Sequence, residues 1–147
     1  MIIPTKPTVL FVCVSNAGKS VMAQALTQHT AGEAFNALSA GTHAKTAVNP
    51  VSAQALAELG IDIAGHQPTQ LDDTLITAAD LIVILGTRAH IDSAADGAPV
   101  QTWHIDEPSL RGIDGIDRMR LIRDDIAARV HDLVRQFTHD HQTQPRE

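Results

Sequence analysis

The segment Thr8 to Val14 (TVLFVCV) is a short continuous apolar run rich in β-branched residues. A strand with no polar face must be covered on both sides, so the run predicts the central strand of a parallel sheet. Four small, turn-forming residues follow, Ser15-Asn16-Ala17-Gly18, and then a helix-forming stretch from Lys19 to Leu26. A buried strand that passes through a tight loop into a helix is the repeating unit of α/β folds, and the rest of the chain must supply matching units.

The later segments do so. Asn36 to Gly41 predicts a weaker strand, and Val51 to Gly60 carries Ala55, Leu56 and Leu59 at helical spacing, with Pro50 at its start and Gly60 past its end. Thr74 to Ala79 fits a short helix, Leu81 to Gly86 a second fully apolar strand, and Pro99 to Trp103 a further short one. Asp106 to Gly115 reads as a surface loop. Met119, Ile122, Ile126, Val130, Leu133 and Phe137 recur every three or four residues with Asp and Arg opposite, the stripe of an amphipathic helix. The expected fold is a single-domain α/β sandwich over residues 1–137, a central parallel sheet flanked by helices, with 138–147 as a frayed tail lacking an apolar face. In such sheets ligands bind beyond the carboxyl ends of the strands, which places Cys13 to Ser20 at the site.

Composition removes several classes of function. No apolar stretch approaches the ~18 residues of a membrane span, and the start MIIPTKPT lacks a signal-peptide core, so the expected location is the cytoplasm. The formal charge is −6 with no basic block, which argues against a nucleic-acid partner. The single cysteine allows no intrachain disulfide, and the eight histidines show no metal-ligand spacing, so no metal is expected. His104, two residues before Asp106, is the histidine nearest the candidate chemistry. The arginines of the last helix, Arg118 among them, alternate with Asp as a solvated, salt-bridged face, whereas Arg111 could reach a substrate or an anionic thiol.

The loop CVSNAGKS carries the chemistry. Ser15, Asn16, Ala17 and Gly18 lead into a helix start, where backbone N–H groups and the helix dipole favour a tetrahedral oxyanion, and Lys19 adds a full charge. That field favours a nucleophilic thiolate at Cys13, and Ser20 can donate to the sulfur. The same string is one residue from a Walker A pattern, with Cys13 where the first glycine belongs. That reading lacks the acidic residue after an apolar strand that would hold magnesium, since Leu81 to Gly86 is followed by Thr87.

The residues Cys13, Asn16, Lys19 and Ser20, with Met22-Ala23, LSAGT (Leu38 to Thr42) and the stretch Val48 to Leu71, resemble the low-molecular-weight protein tyrosine phosphatase superfamily. The resemblance implies a nucleophilic Cys13, an oxyanion cradle from Ser15 to Lys19, Ser20 beside the sulfur, and a general acid from an Asp-Pro dipeptide. Two positions depart. Lys19 stands where the family has arginine and gives up a planar fork for a point charge. The dipeptide is Glu107-Pro108, so Glu107 is the first candidate acid and Asp106 the second.

Within the superfamily the chain resembles the arsenate reductase branch. It has no Tyr and a single Trp with which to grip a phosphotyrosine ring, whereas arsenate needs no such wall. Thioredoxin-coupled members relay oxidation through further cysteines, which Cys13 alone cannot do. The resemblance therefore points to mycothiol-coupled enzymes, in which mycothiol or a similar small thiol is co-substrate and a glutaredoxin-like redoxin completes reduction to arsenite. A phosphate-monoester phosphatase and a catalytically weakened anion-binding domain are the alternatives.

Overall fold

The computed structural model describes residues 6–91 and 98–143, with 138–143 by backbone alone. Its elements in chain order are β1 (Thr8–Cys13), α1 (Lys19–Ala31), β2 (Asn36–Gly41), α2 (Pro50–Ala57), α3 (Asp73–Ala78), β3 (Leu81–Leu85), β4 (Val100–Trp103) and α4 (Gly115–Thr143). The four strands form one parallel sheet in the order β2-β1-β3-β4.

The apolar run at 8–13 is central for the reason its sequence implies: both faces are covered. Val9 and Phe11 join Leu81, Val83 and Trp103 against α1, α2 and the stripe Met119, Ile122, Ile126, Val130, Leu133 of α4. Leu10 and Val12 join Ile82 and Ile84 on the other face, under Leu75 and Ile76 of α3. Strand alternation alone sorts these side chains into two cores. Trp103 belongs to the first of them, its ring 5.8 Å from that of Phe11, so it is core and not a wall of the site.

Some expected boundaries move. α2 stops at Ala57, because Gly60, at φ 77°, closes a turn in which Ile61 N–H donates to Leu56 O at 3.1 Å. The 106–115 loop contains one turn of 3-10 helix, Pro108–Arg111, whose first N–H is absent by virtue of Pro108 and whose next, at Ser109, is capped by Glu107. The last helix continues to Thr143, six residues beyond Phe137, where a frayed tail was expected; a helix already nucleated by packing propagates without an apolar face. Phe137 is nonetheless the last residue of the stripe, set edge-on to Phe35 at 5.2 Å. Residues 144–147 lie outside the described residues.

The arginine face of α4 is not uniformly solvated. Arg123 is buried, donating to Ala55 O at 2.9 Å and to Glu58 at 2.8 Å, and thereby ties α4 to α2. Arg120 grips the same Glu58, and its guanidinium, with that of Arg123, holds the carboxyl at about 2. Among the described residues no helix is long and apolar enough to cross a membrane.

Candidate active site

All four strands end at the same edge of the sheet. The segments that leave those ends surround a cleft of about 1060 Å³, lined by Cys13 and the 14–19 loop on one side and by Lys45, Arg88, Glu107 and Arg118 on the others.

The loop is shaped from outside. Its carbonyls are drawn away from the cleft by N–H donors of the segment after β2: Thr42 to Cys13 O (3.0 Å), His43 to Val14 O (2.8 Å), Lys45 to Ser15 O (3.0 Å) and Asn49 to Ala17 O (2.8 Å). With the carbonyls so engaged, the N–H groups of Ser15, Gly18 and Lys19 have no partner among the described residues and are left for an anion. The turn needs Asn16 at φ 50°, a left-handed conformation that asparagine tolerates better than most residues. It also needs Gly41. A β-carbon there would stand 2.6 Å from Val14 O and 2.9 Å from both Asn16 N and Ser15 C.

Cys13 sits buried at the head of this cradle. Its sulfur lies 3.0 Å from Ser20 Oγ and receives the Asn16 N–H at 3.3 Å. Asn16 Oδ1 accepts from Thr69 N–H at 2.8 Å, and because that group can only donate, the Asn16 amide is turned with Nδ2 toward Ser20 Oγ, at 2.7 Å. Ser20 Oγ thus accepts from Asn16 and keeps its own proton for the sulfur. Asn16 and Ser20 are fully buried and support Cys13 from behind the cleft, and the Asn16 N–H, expected in the cradle, is turned to the sulfur instead.

His66 is a member of this network that the sequence did not reveal. Its Nε2 lies 3.0 Å from Asn16 Oδ1, an acceptor already fixed by Thr69, so Nε2 carries the hydrogen. Burial lowers the His66 pKa from 6.5. As pH falls, the unfolded chain takes up this proton before the folded one, so His66 contributes stability above 6.5 that is lost as pH drops toward its lower folded value. The urea midpoint is therefore expected to fall between about pH 7.5 and about pH 5.5, with a shallower fall in His66→Gln. Equal slopes in the two proteins would show that His66 does not titrate with folding.

Lys19 reaches from the start of α1 toward the end of β3, where a β-carbon on Gly86 would lie 3.8 Å from its Nζ. It forms no ion pair among the described residues. The two candidate acids are placed differently. Asp106 does not line the cleft; Arg111 clamps both its oxygens, at 2.7 and 3.0 Å, and holds its pKa down, which also takes Arg111 out of the cleft. Glu107 does line it, but as an ionised group. Arg118 donates to both its oxygens at 2.7 and 2.8 Å, Ser109 adds two further bonds, and the carboxyl is held at about 2. A proton donor near neutrality is not what this geometry makes of Glu107. Arg118, expected on the solvated face of α4, is instead part of the cleft.

No Phe, Tyr or Trp side chain lines the cleft among the described residues, although the imidazole of His104 does. The end of β3 offers Gly86 and Thr87, so the Walker-type reading finds no acidic metal ligand there. Among the described residues no group of three His, Cys, Asp or Glu side chains could hold a metal ion.

Comparison with known proteins agrees with this geometry. The family model described as low molecular weight phosphotyrosine protein phosphatase matches residues 8–143. An arsenate reductase of Brevibacillus brevis is 35% identical over 129 residues, covering 85% of this chain and 92% of its own. One of Staphylococcus aureus is 32% identical over 120 residues, covering 79% and 89%. Among solved structures, a thioredoxin-dependent arsenate reductase of Corynebacterium glutamicum superposes with a TM-score of 0.77 at 29% identity, covering 95% of this chain, which spans 65% of that longer one. An arginine phosphatase of Geobacillus stearothermophilus, 23% identical, shares the fold with a TM-score of 0.76 over 96% of this chain and 99% of its own. The chain belongs to the low molecular weight phosphotyrosine protein phosphatase family, on its arsenate reductase branch.

Proposed function

We propose that the protein is an arsenate reductase that passes arsenic to an external thiol. The observation that carries this reading is the lone thiol, Cys13, held by Ser20 and the Asn16 N–H at the head of an N–H cradle in a cleft lined by no Phe, Tyr or Trp among the described residues. Arsenate binds the Ser15 to Lys19 loop, with Lys19 balancing its charge. The Cys13 thiolate attacks arsenic and one arsenate oxygen, after protonation, leaves as water. A low-molecular-weight thiol then attacks arsenic, Cys13 departs as thiolate, and an arsenic–thiol adduct is released. A glutaredoxin-like redoxin attacks the sulfur of that adduct; a mixed disulfide forms, and the two electrons of the cleaved bond reduce As(V) to As(III).

Cysteine number supports an external thiol. The Corynebacterium glutamicum neighbour is thioredoxin-dependent, but the 147 residues of this chain hold one cysteine and cannot close an internal disulfide for thioredoxin to reduce. A low-molecular-weight thiol fills the role, mycothiol or one of another class. Arsenite formation is expected to need arsenate, the thiol and its redoxin together. Full activity with thioredoxin alone would contradict the external-thiol route. A second reading, phosphate-monoester hydrolysis, uses the same cradle and thiolate, and its support is the shared fold of phosphatase neighbours.

A further inference from the structure

The cleft is much larger than its loop requires. Its volume of about 1060 Å³ matches pockets that enclose a drug-sized molecule, whereas arsenate has five heavy atoms. Its outer charge is also lopsided. On a chain of formal charge −6, the lining carries Lys19, Lys45, Arg88 and Arg118 against the single carboxylate of Glu107. Lys45 and Arg88 form no ion pair among the described residues.

Arg118 is held in a defined pose. Glu107 takes its Nε and Nη2, at 2.8 and 2.7 Å, and leaves Nη1 without a partner among the described residues. A guanidinium gripped along one edge presents the other edge to a carboxylate at little entropic cost. Lys19 meets the arsenate, so the unpaired Lys45 and Arg88 and the open edge of Arg118 are left for a second anion in the same cleft. The thiol that attacks arsenic must itself lie there.

We propose that the outer cleft is a subsite for the carboxylate of an anionic low-molecular-weight thiol, bound by Arg118, Lys45 and Arg88, and that Glu107 is the positioning residue for Arg118. The proposal rests on the external-thiol reading and narrows its co-substrate. Mycothiol, an uncharged pseudodisaccharide thiol, has no carboxylate to place there, whereas a γ-glutamyl tripeptide thiol has two.

S-methylglutathione, which cannot react, tests the subsite by isothermal titration against its diethyl ester. The acid is expected to bind roughly tenfold more tightly than the ester, with the preference fading at high salt. Arg118→Ala and Lys45→Glu should each collapse that preference, Arg118→Lys should keep part of it, and Arg135→Ala, on the exposed face of α4, should leave it intact. Equal binding of acid and ester, or a preference that survives Arg118→Ala, would overturn the proposal. In turnover with glutathione and glutaredoxin, Glu107→Gln is expected to raise the KM for the thiol and keep the shape of the pH profile. Loss of one limb of that profile with KM unmoved would return Glu107 to the role of acid and also overturn it. Carboxylate-dependent binding of S-methylglutathione supports the subsite whether or not arsenite forms; absence of arsenite with every thiol overturns only the arsenate reading.

Discussion

Replacing Cys13 by Ser is expected to lower arsenite formation by about 1000-fold or more, the scale seen when a covalent nucleophile is lost. The hydroxyl fills nearly the same space and can accept from Ser20 and the Asn16 N–H, so the cradle persists and inorganic phosphate should still bind. Loss of turnover with retained anion binding separates the nucleophile from the loop that holds its target. Activity within about tenfold of wild type would mean that Cys13 does not attack arsenic.

Gly41→Ala is the second large effect, and it acts through the backbone. The new β-carbon would press on Val14 O at 2.6 Å and on Asn16 N and Ser15 C at 2.9 Å, none of which can turn away as a side chain would. β2 is fixed on its other side as well, since Gly41 N–H donates to Thr69 O at 2.8 Å and Gly41 O accepts from Leu71 N–H at 2.9 Å. The strain must therefore go into the cradle. A loss of about 3 kcal/mol in stability is expected from urea unfolding, and arsenite formation should drop by about 100-fold because an error near 1 Å misplaces the anion. Gly18→Ala is the stability control, since its β-carbon meets only Ser52 Oγ, at 3.4 Å. A Gly41→Ala protein within about 0.5 kcal/mol of wild type would show that the loop and β2 are not in contact as described.

Much of this arrangement is legible in the sequence because it is local. The apolar run ending at Cys13, the small-residue turn and the helix after it are contiguous, and each segment advertises itself by period or composition. The stripe on α4 is equally plain. What escaped were partners brought together by the fold. His66 meets Asn16 across fifty residues of chain, and no spacing rule announces it. Gly41 is an ordinary strand-end glycine until the loop of β1 is laid against it. Arg118 read as one more charge on a solvated helix, because its carboxylate partner belongs to a different segment. The ion pairs of the two candidate acids escaped for the same reason: sequence could place Asp106 and Glu107 near the site, but not Arg111 and Arg118 upon them.

Those ion pairs bear on the reaction. In the proposed arsenate reaction, a Glu107 held ionised by Arg118 leaves the departing oxygen to take its proton from the substrate or from water, with the cleft contributing charge and position. A small, partly protonated inorganic oxyanion suits such a site better than an aryl or alkyl phosphate whose leaving group waits for an acid.

The most direct test is to supply the purified protein in parallel with arsenate, a low-molecular-weight thiol and its redoxin, and with p-nitrophenyl phosphate, and to follow arsenite and nitrophenol. Arsenite that disappears when Cys13 or the thiol is withheld, with little nitrophenol, is the expected result. Rapid nitrophenol release with no arsenite from any thiol would contradict it and make the cleft that of a phosphatase.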